Sequence, residues 1–178
     1  MKRRFSLNVR GVAAATVSVM ETCEDCGFAW GQVGRDEIAS RSVAAAQQIA
    51  KVISANADRA LVRPTPERWS ALEYAAHLRD VFLTIRDRLV IGRVKDEPGS
   101  KPMYRDKRLG LGLYAADTAT DVATEVVAAA NMLARLFDAI DPQQLDRVVQ
   151  CGFPDRTSRT LLWITSPISP RILERTSD

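Results

Sequence analysis

Three amphipathic segments of about 20 residues, separated by proline-containing connections, limit the folds that this chain can adopt. The first segment, residues 35–60, has apolar side chains at helical spacing and stops before the prolines that follow Arg63. The second extends to Gly92, and the third begins near residue 118 and ends before Asp141-Pro142. Helices with one apolar face bury that face against one another. The sequence therefore predicts an all-α protein built as a helical bundle.

The chain after residue 150 does not supply a fourth helix of the same length. Pro154, Pro167 and Pro170 lie in it, and its apolar residues are limited to the short run Leu161-Leu162-Trp163-Ile164. Prolines at these positions would break a helix. We therefore expect a four-helix bundle whose fourth helix is short or disrupted. The predicted divisions are an uncertain leader at 1–20, a helical domain at 21–147 and a divergent or frame-shifted tail at 148–178.

The connection between the second and third segments, residues 93–116, is much longer than a turn. It contains two prolines and three glycines: Pro98, Gly99, Pro102, Gly110 and Gly112. A connection of this length in a compact domain is usually a crossover or a cover over a site, or else it is mobile. The sequence leaves these interpretations open.

Composition argues against several classes of protein. A chain of 178 residues with 46% apolar and 26% charged residues is typical of one globular domain. The net charge is only +3 and the one basic cluster lies within the first ten residues, so we expect no nucleic-acid partner. No apolar run approaches the ~20 residues of a membrane-spanning helix, so we expect no membrane partner. Three cysteines form no even disulfide framework, which predicts a cytoplasmic location.

The second segment contains the only histidine of the chain, His77. Its start is marked by Ser70 and Glu73, which form a Ser-x-x-Glu capping box, and Tyr74 and His77 share one face of the predicted helix. An imidazole on the inner face of a helix has two interpretations. It is a metal ligand or general base, or it is a buried side chain satisfied by a hydrogen bond.

Two blocks of the sequence carry a family resemblance. The first is Cys23-x-x-Cys26-Gly27-Phe28, and the second extends from Arg63 to Val81 and reads RPTPERWSALEYAAHLRDV. Over residues 20–147 the chain resembles actinobacterial members of the DinB/YfiT-like superfamily. The resemblance implies a four-helix bundle with a divalent metal, Zn²⁺ or Ni²⁺, held by three histidines. Relatives include mycothiol- and bacillithiol-dependent transferases and maleylpyruvate isomerases, so a low-molecular-weight thiol is the implied cofactor.

The resemblance places His77 at the position of the first metal ligand. The other two histidines would come from a helix near the C-terminus, where residues 161–167 contain none. A single imidazole does not hold a divalent ion tightly, because metal affinity requires several deprotonated ligands that act together. The sequence therefore predicts an incomplete metal site.

Asp80 and Tyr74 are the residues that we expect next to His77. Asp80 would orient the imidazole or act as a weak oxygen ligand. In the other interpretation it is a surface acid paired with Arg79 or Arg86. Tyr74 would line a substrate pocket or belong to the core.

Cys23 and Cys26 have the spacing of half a zinc site or of a redox pair. Cys151 and His77 would complete a zinc site of three cysteines and one histidine. The other interpretation is a turn with two free thiols near the surface. The sequence leaves these alternatives open.

Three functions are compatible with these observations. The first is a metal-dependent transferase or isomerase, in which the ion would lower the pKa of a bound thiol or water. The second is a non-catalytic helical module for binding or dimerisation, with a homodimer as the candidate assembly. The third is a truncated gene product without a function of its own. The incomplete metal site leads us to expect little activity from this chain.

Overall fold

A computed structural model describes residues 33–96, 98–144, 147–151 and 157–159, and three long helices dominate it. These helices confirm the helical class predicted from the sequence. The helices are α1 (Arg35–Ala55), α2 (Ala57–Leu61), α3 (Ala71–Val94), α4 (Arg105–Gly110) and α5 (Ala119–Asp138), with a 3-10 turn at Pro142–Gln144. The strands are β1 (Gly99–Ser100), β2 (Val148–Cys151) and β3 (Thr157–Arg159).

The first predicted helix is two helices in the structure. Asn56 lies between α1 and α2 with φ −142° and ψ 66°, which is not a helical conformation. Asparagine is disfavoured inside a helix because its side chain competes for the hydrogen bonds of the backbone. It is therefore common at helix ends. The amide of Ala60 still donates to the carbonyl of Asn56 at 2.9 Å, so the chain resumes its helical path at once.

Helix α5 is the centre of the core and lies against both α1 and α3, which contact each other much less. The apolar stripe predicted for α5 is buried along its whole length. A fully buried Val, Leu or Phe side chain contributes about 1.5–3 kcal/mol to the free energy of unfolding, relative to an exposed position. The residues of α5 with the lowest exposure are Val122, Val126, Ala129, Ala130, Leu133 and Phe137.

The predicted capping box at the start of α3 is present. The Ser70 amide donates to Glu73 Oε2 at 2.8 Å, and the Glu73 amide donates to Ser70 Oγ at 3.2 Å. Arg63 Nε also donates to Glu73 Oε2 at 2.8 Å, so the proline-containing segment is tied to the same helix end. Ser70 is only 2% exposed, and its bonds satisfy amides that would otherwise be buried without partners.

A small sheet packs near the C-terminal end of α3, and the sequence did not predict it. Strand β1 pairs with β2 in parallel, and β2 pairs with β3 in antiparallel orientation. Strands of two to four residues have too few positions for an alternating pattern to be recognised. Of the predicted tail, residues 148–151 and 157–159 are described, and they form β2 and β3.

Gly92 gives β2 room to approach α3. A Cβ atom at position 92 would lie 2.7 Å from Val149 Cγ2, and Val149 is 3% exposed. Arg147 strengthens this contact, because its Nε donates to the Gly92 carbonyl at 2.6 Å and its Nη2 donates to the Lys95 carbonyl at 2.8 Å. A guanidinium at these carbonyls stabilises the negative end of the α3 dipole.

The long connection after α3 contains helix α4, and we call residues 101–117 the strap. The strap enters α4 through Tyr104, which has φ 52° and lies in the left-handed region. It leaves α4 through Gly112, with φ +67°, in a Schellman motif. In that motif the Gly112 amide donates to the Leu109 carbonyl at 2.9 Å, and the Leu113 amide donates to the Arg108 carbonyl at 3.2 Å. Of the interpretations given for this connection, the structure is compatible with a cover, since the strap is bonded to side chains of α3.

Candidate functional site

His77 lies on α3 in a half-buried position, with its ring against an aromatic pair. The imidazole meets Trp69 edge-on at 5.4 Å between ring centroids and 87° between planes. The ring of Tyr74 also packs against this indole, with ring centroids 5.2 Å apart. The Nδ1 atom of His77 is buried and has no hydrogen-bond partner among the described residues. The imidazole is therefore held by packing rather than by the hydrogen bond that usually orients a metal ligand.

The surroundings of His77 disfavour positive charge. Burial lowers the pKa of the imidazole, and the neighbouring guanidinium groups of Arg105 and Arg108 lower it further. The carboxylates of Asp80 and Asp106 oppose this effect without reversing it. The neutral form of the imidazole is therefore favoured.

Asp80 follows His77 by three residues on α3, and its carboxylate accepts three hydrogen bonds. Arg79 Nε donates to Oδ1 at 3.2 Å, while Arg108 Nη1 and Tyr114 Oη donate to Oδ2 at 2.6 and 3.0 Å. The side chain is only 13% exposed. No hydrogen bond joins Asp80 to His77 in the described part of the chain. Asp80 is therefore paired with Arg79, as one interpretation expected, but it is not a surface acid.

Tyr114 belongs to the strap and is 5% exposed. Burial raises the pKa of its phenol to about 12, and the charge of Asp80 together with its hydrogen bond acts in the same direction. The phenol therefore stays protonated and donates to Asp80 over the whole physiological pH range.

Arg79 connects this cluster to the start of α5. Its guanidinium forms ion pairs with Asp80 and Asp117, both at 3.2 Å, and with Glu125. Burial alone would lower the pKa of Arg79, but Glu125, Asp117 and Asp80 raise it above its ordinary value. The second arginine considered from the sequence, Arg86, pairs with Asp87 instead.

The described residues do not fit the three-histidine metal centre that the resemblance implies. The chain has one histidine in 178 residues, and residues 33–96, 98–144, 147–151 and 157–159 contain no group of three His, Cys, Asp or Glu residues that could hold a metal ion. The nearest carboxylate to His77 along α3, Asp80, already accepts bonds on both oxygens. Cys23 and Cys26 lie outside the described residues.

The comparisons with known proteins agree with the fold. The family model of the DinB superfamily matches residues 41–166, and the chain belongs to this superfamily. Among solved structures it is similar to YfiT from Bacillus subtilis, a probable metal-dependent hydrolase with an unusual four-helix bundle topology. That similarity has a TM-score of 0.71 at 11% identity and covers 80% of this chain and 86% of YfiT. No curated protein matches the sequence.

These findings confirm the superfamily and the bundle class. The matched range includes residues 148–166, which we predicted to be a divergent tail, and the boundary at 147 stays a prediction. In the part of the chain that the structure describes, no helix is long and apolar enough to cross a membrane.

Sequence reasoning did not single out the strap residues Arg105, Arg108 and Tyr114. One signal was available, since Tyr114 is an aromatic residue in a connection rich in glycine and polar residues. Such a residue is commonly an anchor for the connection that contains it. Its partner Asp80 lies 34 positions earlier, and no local pattern reports that distance.

Proposed function

We propose that this chain is a DinB-superfamily domain that keeps the position of a metal ligand but does not hold a divalent ion tightly. It then acts as a binding or dimerisation module, with little activity as a metal-dependent, thiol-linked transferase or isomerase. One observation supports this most directly. The only imidazole of the chain lies beside a carboxylate that is fully engaged with two arginines and a tyrosine.

Recruiting Asp80 to a metal would be costly. The carboxylate would have to give up its bonds from Arg108 and Tyr114, and a hydrogen bond to a charged group contributes about 1.5–3 kcal/mol. The two guanidinium groups would then face a divalent cation without the carboxylate that compensates them. His77 and Asp80 together would also supply only two ligands, and tight sites for Zn²⁺ use three or four.

The similarity to YfiT supports the fold and suggests which chemistry to test. YfiT is a probable metal-dependent hydrolase, but at 11% identity its ligands do not transfer to this chain. Zn²⁺ and Ni²⁺ are therefore the ions to offer, and a low-molecular-weight thiol is the ligand to offer with them. The thiol interpretation rests on the resemblance alone.

Metal analysis of the purified protein tests the proposal. After incubation with Zn²⁺ or Ni²⁺ and extensive dialysis, we expect well below one ion per chain by mass spectrometry, and the same amount in His77→Ala. Asp87→Ala, which removes an exposed acid of the same helix, is the matched control. One tightly bound ion per chain that is lost from His77→Ala would overturn the proposal.

The cysteine pair needs its own variant. An ion that persists in His77→Ala and disappears from a Cys23→Ser, Cys26→Ser double variant would assign binding to those thiols.

Sedimentation of the metal-free protein measures its oligomeric state and so tests the proposed binding or dimerisation module. We expect a defined homodimer with cooperative thermal unfolding, and an aggregating sample without a cooperative transition would instead support a non-functional remnant.

A further inference from the structure

The strap is attached to α3 by polar contacts at three places. Near its start, Arg88 Nη2 donates to the Lys101 carbonyl at 2.9 Å. In its middle, Arg108 and Tyr114 donate to Asp80 at 2.6 and 3.0 Å. At its end, Asp117 pairs with Arg79 at 3.2 Å. All three contacts are made by side chains of the strap-facing side of α3.

Apolar packing of the strap involves few residues: Tyr114 belongs to the buried core, and Leu109 packs against that core. Helix α4 has no buried residue, and Tyr104, Leu111 and Leu113 are 56%, 75% and 59% exposed. Tyr114 is the large strap side chain that is buried, and its hydroxyl reaches Asp80. A segment with few buried apolar contacts opens locally at a lower free energy than the core. With few apolar contacts to hold it, the strap depends on its polar contacts, of which Asp80 makes two.

The attachment at Asp80 brings the strap to within one helical turn of His77. Residues three apart on a helix are neighbours on its surface, so Asp80 holds the strap one turn from the imidazole. Arg105, Asp106 and Arg108, all in α4, are among the charged groups that act on His77. His77 as a whole residue is half-buried, while its Nδ1 atom is fully buried.

We propose that residues 101–117 form a lid over His77, and that the bonds from Arg108 and Tyr114 to Asp80 are the latch that keeps this lid closed. Opening the latch exposes the imidazole to small molecules in solution. The lid acts in this way whether or not His77 binds a metal, so it can be tested apart from the proposed function.

The chain allows a direct test, because it has one histidine, so the carbethoxyhistidine signal reports a single residue. Carbethoxylation of the metal-free protein with diethyl pyrocarbonate, at a pH where the imidazole is neutral, reports the accessibility of His77. We expect Asp80→Asn to raise the rate constant by about tenfold, since charge-assisted hydrogen bonds that favour the closed strap are lost.

Asp87→Asn is the matched control. Asp87 lies on the same helix and pairs with the preceding residue Arg86, as Asp80 pairs with Arg79, but no hydrogen bond or ion pair joins it to the strap among the described residues. We expect the rate of this variant to equal that of the unmodified sequence. An equal increase in both variants would overturn the lid, since it would show a general effect of removing an acid from α3.

Arg108→Gln opens the latch from the other side without altering Asp80. Its side chain is 40% exposed, so this variant is expected to fold even if Asp80→Asn does not. We expect a faster reaction of His77 here as well. If Arg108→Gln has an intact circular-dichroism spectrum and the rate of the unmodified sequence, the strap is not a lid and the proposal fails.

Discussion

Helix α3 is held on two sides by opposite kinds of contact. Toward α5 it presents Leu78, Phe82, Ile85 and Leu89, which are all buried among apolar neighbours. Toward the strap it presents Arg79, Asp80 and Arg88, whose partners are reached by hydrogen bonds and ion pairs. Apolar burial has little directional requirement, whereas a buried polar contact depends on each partner being in place.

The difference separates what determines the fold from what controls access to the site. The contact with α5 is distributed over many side chains and tolerates small changes in shape. The contact with the strap depends on three polar side chains of α3, and Asp80 alone accepts two of the bonds, so a change of a few atoms alters it. Helix α3 therefore takes part in a stable core and also holds the strap, which is attached through few side chains.

The largest effect is expected in the core. Phe137 is 1% exposed, and Phe137→Ala should lower the free energy of unfolding by about 3–5 kcal/mol because it leaves a cavity between helices. Urea denaturation measures this. Met132→Ala on the same helix, where the side chain is 36% exposed, should cost less than about 1 kcal/mol. Similar losses for the two variants would mean that α5 is not the centre of the core.

An intermediate effect is expected at Tyr114, and it depends on pH. The folded pKa of about 12 is above the ordinary value of 10.0, so the folded state keeps a proton that the unfolded state loses. The stabilisation is fully present below pH 10 and is lost as the pH rises toward 12. It corresponds to roughly 2–3 kcal/mol at most. The stability difference between the unmodified chain and Tyr114→Phe should therefore narrow over this range in urea titrations, and a constant difference would contradict the raised pKa.

The smallest effect is expected at the end of α4. Gly112 has φ +67°, and Gly112→Ala should cost about 1 kcal/mol, because an L side chain is strained in this conformation. A Cβ there would have no contact closer than Ala115 at 4.0 Å, so the cost is conformational rather than steric. Gly110→Ala is the control. A Cβ at Gly110 would meet no atom within 4 Å, and the φ angle of Gly110 is one that alanine adopts, so this variant should be neutral or slightly stabilising. Amide hydrogen exchange of the strap measures both.

The long helices could be predicted because their signals are local. Apolar spacing located α1 and α5, and the Ser70–Glu73 capping box gave the start of α3. The strap and the sheet depend on distant partners: Arg108 meets Asp80 across 28 positions, and Gly99 pairs with Gln150. Neither partner carries a local mark that identifies the other. The position of His77 on α3 was predictable, while the engagement of Asp80 by the strap was not.

Gly92 and Val149 have a consequence for the evolution of this chain. The valine methyl occupies the volume that any larger residue at 92 would need, and a β-branched side chain has little rotamer freedom to move aside. A larger residue at 92 therefore requires a smaller side chain at 149. Among relatives that keep β2 against α3, we expect a larger residue at 92 to be accompanied by a smaller one at 149, and this coupled variation would be visible in an alignment of the subfamily.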